Sequence, residues 1–280
     1  MEKVTIQLLH EMKQAKNPIT MITAYDYSSG IIADRSGVEM VLVGDSVGMV
    51  VHGFSTTLPV TMDMMVMHCQ AVRRGVQRAF LIGDMPFLSY QTSIEDAKRN
   101  AGRLLAEGGA DAIKLEGGRP MIETIRQLVT MGIAVQGHIG LTPQSVSAFD
   151  GFKAQGKDIE SARRLVEDAQ ALVEAGVFSI VLEAIPAKLA ALIAQRVSVP
   201  TIGIGAGNGC DGQVLVLHDL LGLVEKTPKF VKRYADMAQT IQNAIEAYRD
   251  EVRERHFPTQ SHSFSLDEAV WKQLEDEFGA

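Results

Sequence analysis

The sequence predicts an α/β fold of the (βα)₈ TIM-barrel type, with an additional N-terminal helix and a helical C-terminal tail. About eight short apolar runs rich in Val, Ile and Leu alternate with helical patterns, as expected for parallel strands buried on both faces. Gly37, Gly109 and Gly176 each lead into such a run, at intervals that hold about two βα units. An open doubly wound sheet is the alternative, but it normally has fewer strands and a stronger nucleotide-binding loop. The runs occupy residues 19–25, 38–44, 79–85, 112–117, 133–140, 178–184, 200–207 and 212–219.

Helical patterns fill most of the intervals between these runs. Between residues 162 and 173, apolar residues recur at i, i+3, i+4 and i+7, which predicts an amphipathic helix. Ser93 precedes two acidic residues and is expected to cap the N-terminus of a helix. Gly108 and Gly176 stand where helix C-caps belong.

The chain is expected to form one domain, residues 1–280, without an obvious linker. The barrel core is predicted over about residues 19–254, after a helix formed by the segment that precedes Ile19. Residues 234–254 are expected to form the last barrel helix, and residues 255–280 the C-terminal tail.

Composition excludes several classes of protein. The formal net charge of −7 argues against a broad nucleic-acid surface. The N-terminal segment lacks the apolar core of a signal peptide, and no apolar run approaches the length of a membrane span. Cys69 and Cys210 lie far apart in the sequence and are expected to be reduced thiols, packed as small apolar side chains, in a cytoplasmic protein.

Polar residues follow the apolar residues of five predicted strands. Because side chains alternate along a strand, Val41, Val43 and Asp45 are expected to share a face directed into the barrel. The same alternation applies to the other strands, and TIM-barrel active sites lie at the C-terminal ends of the strands. The residues expected at this end are Asp45, Asp84, Lys114, Glu116, His138 and Glu183.

Each of these residues has a simpler explanation when taken alone. An aspartate or serine after a strand often caps a helix. Glu116 can be the salt-bridge partner of Lys114, His138 a hydrogen-bonded core histidine, and Glu183 a solvated residue at the rim. The whole set at one barrel mouth is costly unless something bound there compensates the charges.

A hard divalent cation is the expected compensating group. Oxygen donors and few histidines favour Mg²⁺ over Zn²⁺, and Mg²⁺ usually takes only one or two carboxylates. It would leave coordination positions for a chelating substrate such as a 2-oxo acid, whose ketone it would polarise towards the enolate. A carboxylate held apart from the metal could then remove the proton.

The glycine-rich segment 203–212 has two interpretations. Such loops after the seventh strand of a barrel often bind phosphate, whereas the alternative is a tight turn that requires positive φ angles. The segment lacks the lysine of a P-loop and does not match the dinucleotide-binding pattern. Both interpretations remain open at this point.

Motifs along nearly the whole predicted barrel resemble those of the ketopantoate hydroxymethyltransferase family. The tail segment FPTQSHSF (257–264) is also similar to that family. The matching motifs are MITAYDYSSG (21–30), VGDSVGMVVHG (43–53), LPVTMDMMVMHCQAV (58–72), DMPFLSY (84–90), IKLEGG (113–118), GHIGLTPQS (137–145), LEAIP (182–186) and TIGIGAGNGCDGQVLV (201–216).

The resemblance implies a Mg²⁺-dependent enzyme of pantothenate biosynthesis. The implied reaction transfers a hydroxymethyl group from 5,10-methylenetetrahydrofolate to 3-methyl-2-oxobutanoate and gives 2-dehydropantoate through a Mg-stabilised enolate. The resemblance also implies a homo-oligomer, commonly a decamer.

Residue roles follow from the same resemblance. Asp45 and Asp84 are expected to bind Mg²⁺, with Glu116 also near the metal. Ser46 and Lys114 are expected to contact the substrate carboxylate, and both aspartates to touch substrate as well as metal.

Glu183 is expected to be the general base, and His138 to lie behind the metal ligands or on the folate side. Two other functions remain as alternatives. One is a lyase or mutase of the phosphoenolpyruvate mutase and isocitrate lyase group, which would need no folate. The other is a non-catalytic barrel that only sequesters a metal ion.

Overall fold

The computed structural model describes residues 2–148 and 153–279 and contains a closed barrel of eight parallel strands in sequence order. The first strand also pairs with the eighth, which closes the sheet. The predicted (βα)₈ barrel is therefore confirmed, and the open sheet is wrong. The strands are β1 (Ile19–Thr23), β2 (Met40–Val43), β3 (Phe80–Asp84), β4 (Ala112–Glu116), β5 (Val135–Gly140), β6 (Ser179–Glu183), β7 (Thr201–Ile204) and β8 (Gly212–Leu215).

Helices precede, follow and separate these strands, as the sequence predicts, except between β7 and β8, which a turn connects. Short 3₁₀ turns lie at Arg119–Met121, Pro143–Ala148 and Gln260–His262. The helices are α1 (Ile6–Gln14), α2 (Tyr27–Arg35), α3 (Val47–Val50), α4 (Met62–Gly75), α5 (Ile94–Ala106), α6 (Ile122–Thr130), α7 (Ile159–Ala175), α8 (Ala187–Arg196), α9 (Leu217–Leu221), α10 (Met237–Arg253) and α11 (Glu268–Phe278).

The observed helix ends agree with two of the three predicted helix caps. Ser93 caps α5, since its hydroxyl accepts the Asp96 backbone N–H at 3.1 Å. Gly176 ends α7 in the left-handed region, with φ 96°. The prediction for Gly108 is wrong, because α5 ends at Ala106 and the left-handed residue is Gly109. At Gly108 a Cβ atom would lie 2.6 Å from the Leu104 carbonyl oxygen, so close packing requires that glycine.

The strands separate two apolar layers. The inner layer fills the barrel and includes Met40 and Leu42 of β2. The outer layer packs against the helices and includes Val41 and Val43. The prediction that Val41, Val43 and Asp45 share an inward face is therefore wrong. Strand alternation stops at Val43, where β2 ends, so it does not determine the direction of Asp45.

Helix α1 covers the N-terminal end of the barrel. Leu9 of α1 is completely buried, and it belongs to the inner layer together with Ile19, Phe80 and Phe178. These three residues stand at or beside the first positions of their strands. The added N-terminal helix therefore covers one end of the barrel and leaves the C-terminal end for the functional site.

The C-terminal helices contribute no buried residue to the barrel. Every residue of α10 and α11 is partly or fully exposed. The predicted last barrel helix, residues 234–254, begins three residues later, at Met237, because the Asp236 side chain caps its N-terminus. Within the described residues, no helix combines the length and the apolar character needed to cross a lipid bilayer.

Candidate active site

The C-terminal ends of the strands surround one cavity of about 430 Å³. Its volume falls within the range that proteins use to bind small organic ligands. The structure places all the residues singled out from the sequence around this cavity: Asp45, Ser46, Asp84, Lys114, Glu116, His138 and Glu183.

Strand register brings most of these side chains together. Asp84, the last residue of β3, is the register partner of Lys114 in β4. Glu116, the last residue of β4, is the partner of His138 in β5. Glu183 ends β6 and is the register partner of Gly140, two positions after His138 in β5. Because alternate residues share a face, the register directs all five side chains to the same mouth.

Asp45 and Ser46 reach the cavity from the turn that follows β2. Ser46 occupies the N-cap position of α3 but makes no side-chain capping bond. Its hydroxyl lies instead 2.8 Å from the Tyr25 hydroxyl. The Asp45 carboxylate accepts a hydrogen bond from the Gln144 side chain at 3.0 Å. The helix-cap explanation therefore fails for both residues.

A buried ion pair lies at the centre of the site. The Lys114 ammonium donates to Asp84 Oδ1 at 2.7 Å, and Asp84 Oδ2 accepts the Asp45 backbone N–H at 3.2 Å. Burial favours neutral Lys114, but the carboxylates of Asp84, Glu116 and Asp45 outweigh it and raise the lysine pKa above its usual value. Lys114 therefore remains an ammonium group although it is 4% exposed.

Asp45 lacks a comparable partner. Burial, followed by repulsion from Asp84 and Glu116, raises its pKa well above the usual range of an aspartate. Burial likewise raises the pKa of Asp84, although Lys114 opposes this effect. The cluster therefore disfavours full ionisation of its carboxylates unless a cation lies nearby.

His138 lies between two carboxylates. Its Nδ1 is 3.6 Å from Glu116 Oε1, and its Nε2 is 3.2 Å from Glu183 Oε2. Neither contact has hydrogen-bond geometry, so both ring nitrogens are buried without a hydrogen-bond partner among the described residues. Burial alone lowers the His138 pKa, but the two carboxylates outweigh burial and raise it to about 9. The ring is therefore an imidazolium at neutral pH.

Two site residues, Tyr90 and Gln144, were missed in the sequence. The Tyr90 hydroxyl donates to the Gln144 side-chain oxygen at 2.7 Å and accepts the Glu116 backbone N–H at 3.1 Å. Gln144 donates to the Asp45 carboxylate. Both residues lie in irregular segments after strands, where no periodicity shows which way a side chain points. The only signal was their presence within motifs of the family resemblance.

The glycine-rich segment 203–212 forms a tightly packed turn. Gly205 and Gly207 have φ angles of 64° and 75°. A Cβ atom on Gly205 would lie 2.6 Å from the Phe230 ring, and one on Gly207 would lie 2.4 Å from the Ala187 Cβ atom. The tight-turn interpretation accounts for both glycines. Phe230, which packs on this turn, lines the cavity.

Six apolar side chains from the segments that follow β2 and β8 also line the cavity, and we refer to them as the apolar wall. Lys226 and Asp219 also line the cavity, in the segment that follows β8. The apolar wall is formed by Met49, Val50, Phe54, Val216, Val224 and Phe230.

The donor set of the site fits Mg²⁺. Among the described residues, no three His, Cys, Asp or Glu side chains form a closed ligand group. Mg²⁺ needs only one or two carboxylates and keeps its remaining positions for water or substrate. Glu116 Oε1 is buried without a hydrogen-bond partner, and Asp45 uses only Oδ2 in a hydrogen bond within the described part of the chain. Both oxygens therefore keep lone pairs that a hard cation could use, and Glu116 Oε1 also lies 3.6 Å from His138 Nδ1.

Solved structures of other barrels share this fold. Phosphonopyruvate hydrolase, solved in complex with oxalate and Mg²⁺, matches with a TM-score of 0.60 and 12% identity over 98% of this chain and 99% of that chain. A 2,3-dimethylmalate lyase matches with a TM-score of 0.59 and 16% identity, over 98% and 99% of the two chains. At these identities the likeness shows the fold alone.

Sequence relatives are far closer. The family model of ketopantoate hydroxymethyltransferase matches residues 3–260. A 3-methyl-2-oxobutanoate hydroxymethyltransferase of Carboxydothermus hydrogenoformans is 54% identical over 98% of this chain and 100% of its own length. The enzyme of the same name from Moorella thermoacetica is 57% identical over 94% of this chain and 98% of its own. The chain is therefore an enzyme of the transferase class and belongs to the ketopantoate hydroxymethyltransferase family.

Proposed function

We propose that this chain transfers a hydroxymethyl group from 5,10-methylenetetrahydrofolate to 3-methyl-2-oxobutanoate and forms 2-dehydropantoate by way of an enolate. The names of the relatives support the acceptor and the reaction class. One observation of the site carries the mechanism. Glu183 lines the same cavity as Asp45 and Asp84 but shares no hydrogen bond with either among the described residues. A base and a cation site are therefore separate groups that face one cavity.

Asp45, Asp84 and Glu116 are the proposed residues that would hold Mg²⁺. When bound, Mg²⁺ would supply Lewis-acid polarisation of the ketone of the keto acid. The ionised Asp45 carboxylate would be stabilised by that cation, because its own pKa is raised by burial and by two neighbouring carboxylates. Mg²⁺ dependence is therefore a proposal supported by the charge balance of these residues.

Lys114 and Ser46 are the proposed contacts of the substrate carboxylate. Lys114 is held as an ammonium group by the surrounding carboxylates, so it can attract the anionic keto acid in the interior. The Ser46 hydroxyl is oriented by Tyr25, whose hydroxyl lies 2.8 Å away. Together they would bind the keto acid through its carboxylate.

Glu183 is the proposed base that removes the C3 proton. It ends β6, lines the cavity and is partly accessible within it. His138 lies 3.2 Å from Glu183 as an imidazolium, so it can hold the carboxylate in place and balance its charge. His138 is proposed to act on Glu183 and Glu116 rather than on the reacting carbon.

The apolar wall is the proposed binding surface of the folate donor. The cavity, about 430 Å³, is larger than a small keto acid fills, and its lining also includes Phe54, Phe230 and four aliphatic or thioether side chains. Aromatic rings of this kind stack on planar heterocycles. This arrangement would place the one-carbon unit between the wall and the enolate carbon.

Deuterium exchange at C3 of 3-methyl-2-oxobutanoate tests the base. With Mg²⁺ present and folate absent, Glu183→Gln should slow exchange by about 10²–10⁴-fold, the usual contribution of a positioned base. Glu174→Gln, on the exposed side of α7, is the matched control and should exchange at the wild-type rate. Wild-type exchange in Glu183→Gln would refute the assignment of the base.

The folate requirement separates the proposed function from the alternatives. The wild-type enzyme should convert the keto acid to 2-dehydropantoate only when 5,10-methylenetetrahydrofolate is supplied. Cleavage or rearrangement of the keto acid without folate would support the lyase or mutase alternative. Mg²⁺ binding without exchange or turnover would support the non-catalytic barrel.

A homo-oligomer is also part of the proposal, and a second copy of this chain is the proposed partner of α10. The exposed apolar residues of this helix recur with helical spacing and form one face: Ile241, Ile245, Tyr248 and Val252. A face of this kind on an isolated chain favours association. Light scattering should show an assembly, and Ile245→Asp should reduce its mass. The decamer and the cytoplasmic location stay predictions.

A further inference from the structure

We propose that Gln144 is a positioning residue that holds Asp45 and Glu116 in the arrangement that binds Mg²⁺. The inference rests on the proposed function of the site as a Mg²⁺ site. Gln144 belongs to the 3₁₀ turn Pro143–Ala148, which follows β5, and it is 4% exposed. It therefore reaches the site from a different loop than either carboxylate.

The side-chain amide of Gln144 has all its hydrogen-bonding capacity occupied. Its Nε2 donates to Asp45 Oδ2 at 3.0 Å and to the Met85 carbonyl at 2.9 Å. Its Oε1 accepts from the Tyr90 hydroxyl at 2.7 Å and from Gln91 Nε2 at 3.2 Å. If the amide were rotated by half a turn, its oxygen would face the acceptors on Asp45 and Met85. Its nitrogen would face the donors on Tyr90 and Gln91. The orientation of the amide is therefore fixed by its surroundings.

The backbone of the same residue contacts the second carboxylate. The Gln144 N–H donates to Glu116 Oε2 at 3.0 Å. Gln144 thus engages one oxygen of each carboxylate, Oδ2 of Asp45 and Oε2 of Glu116. The other oxygen of Glu116 is buried without a hydrogen-bond partner among the described residues. The contacts leave Asp45 Oδ1 and Glu116 Oε1 without a hydrogen bond among the described residues, and Glu116 Oε1 lies 3.6 Å from His138 Nδ1.

No other side chain of the described residues donates a hydrogen bond to the Asp45 carboxylate. The Lys114 ammonium is engaged with Asp84 Oδ1. Repulsion from Asp84 and Glu116 would favour rotation of Asp45 away from the cluster if the Gln144 amide were removed. Gln144 thereby prepares the carboxylate before a cation arrives, which is the role that outer hydrogen-bond partners have at metal sites.

Calorimetric titration of the full-length, metal-free protein with Mg²⁺ tests this role. Gln144→Leu keeps the backbone N–H and removes the amide, so the Kd for Mg²⁺ should rise by about 10–100-fold. Gln70→Leu is the matched control, because Gln70 is exposed on α4 and its amide donates to the Glu107 carbonyl rather than to a residue of the site. Its Kd should change by no more than about twofold. An unchanged Kd in folded Gln144→Leu overturns the proposal.

Dependence of C3 exchange on Mg²⁺ concentration separates positioning from a general structural effect. Gln144→Leu should need more Mg²⁺ but should approach the wild-type maximum when Mg²⁺ saturates, because Glu183 is untouched. Exchange that stays low at saturating Mg²⁺ overturns the proposal. If Gln144→Leu does not fold, Tyr90→Phe serves instead, because it removes the hydroxyl that donates to the Gln144 oxygen. Its Kd should also rise, and an unchanged Kd overturns the proposal.

The titration also distinguishes this proposal from the proposed reaction. Wild-type protein that binds Mg²⁺ but makes no 2-dehydropantoate would contradict the reaction, while the comparison of Gln144→Leu with Gln70→Leu would still decide the role of Gln144. Wild-type protein that binds no Mg²⁺ at all would overturn the role of Gln144 directly.

Discussion

Replacing His138 with asparagine removes an imidazolium that lies between Glu116 and Glu183. The folded chain raises the pKa of this ring from 6.5 to about 9, although burial alone would lower it. A difference of this size corresponds to about 3 kcal/mol of stabilisation. Because the pKa of the folded state is the higher one, the stabilisation is fully present below pH 6.5 and is lost as the pH rises through about 9.

Urea unfolding of metal-free protein in EDTA, at about pH 6 and about pH 9.5, measures this contribution. The wild-type chain should lose about 3 kcal/mol more than His138→Asn between the two pH values, since groups that titrate in both chains cancel in the comparison. His256→Asn is the matched control, because that side chain is 71% exposed. Its pH dependence should equal that of the wild type. If the stability of His138→Asn shows the same pH dependence as the wild type, folding does not raise the pKa of His138, and the reasoning is refuted.

Three further changes test the barrel and its mouth. Leu9→Ala should lower the free energy of unfolding by about 2–5 kcal/mol, because Leu9 is fully buried. Leu8→Ala, at an exposed position, is the control and should change it by less than about 0.5 kcal/mol. Urea titration measures both values. Lys114→Met should cost about 3–5 kcal/mol in the same assay, because its partner carboxylate would stay buried and unpaired. Gly205→Val should displace Phe230, since a Cβ atom there lies 2.6 Å from the ring. We expect a lower Tm and a higher KM for the folate donor, and an unchanged KM would contradict the assignment of the apolar wall.

Strand alternation predicted the site correctly only where the strand continues to the polar residue. In β3 and β4 the ladder extends to Asp84 and Glu116, so these side chains keep the inward direction of the residues two positions earlier. In β2 the ladder ends at Val43. Asp45 reaches the barrel mouth because the chain turns after Val43. The predicted location of Asp45 was therefore right, but the reason given for it was wrong.

The residues that the sequence did not reveal depend on contacts between loops. Gln144 acts where the segments after β2, β3 and β5 meet the end of β4, and no local pattern encodes that meeting. Gly108 illustrates the same limit. Its position near a helix end indicated a cap, but the close approach of Leu104 and Cys69 is what excludes a side chain there. Local chemistry predicts which element a residue occupies, whereas tertiary contacts decide what the residue does.

The charges at the barrel mouth explain why the proposed cation site centres on Asp45. The ammonium of Lys114 is committed to Asp84, and the imidazolium of His138 lies against Glu116 and Glu183. Asp45 therefore has no cationic side chain of its own, and only the Gln144 amide donates to its carboxylate among the described residues. Burial, followed by repulsion from Asp84 and Glu116, favours a proton on Asp45 when no cation is bound and so raises its pKa well above the usual range. Since a proton and Mg²⁺ compete for the same carboxylate, the raised pKa and the proposed affinity for Mg²⁺ have one physical origin.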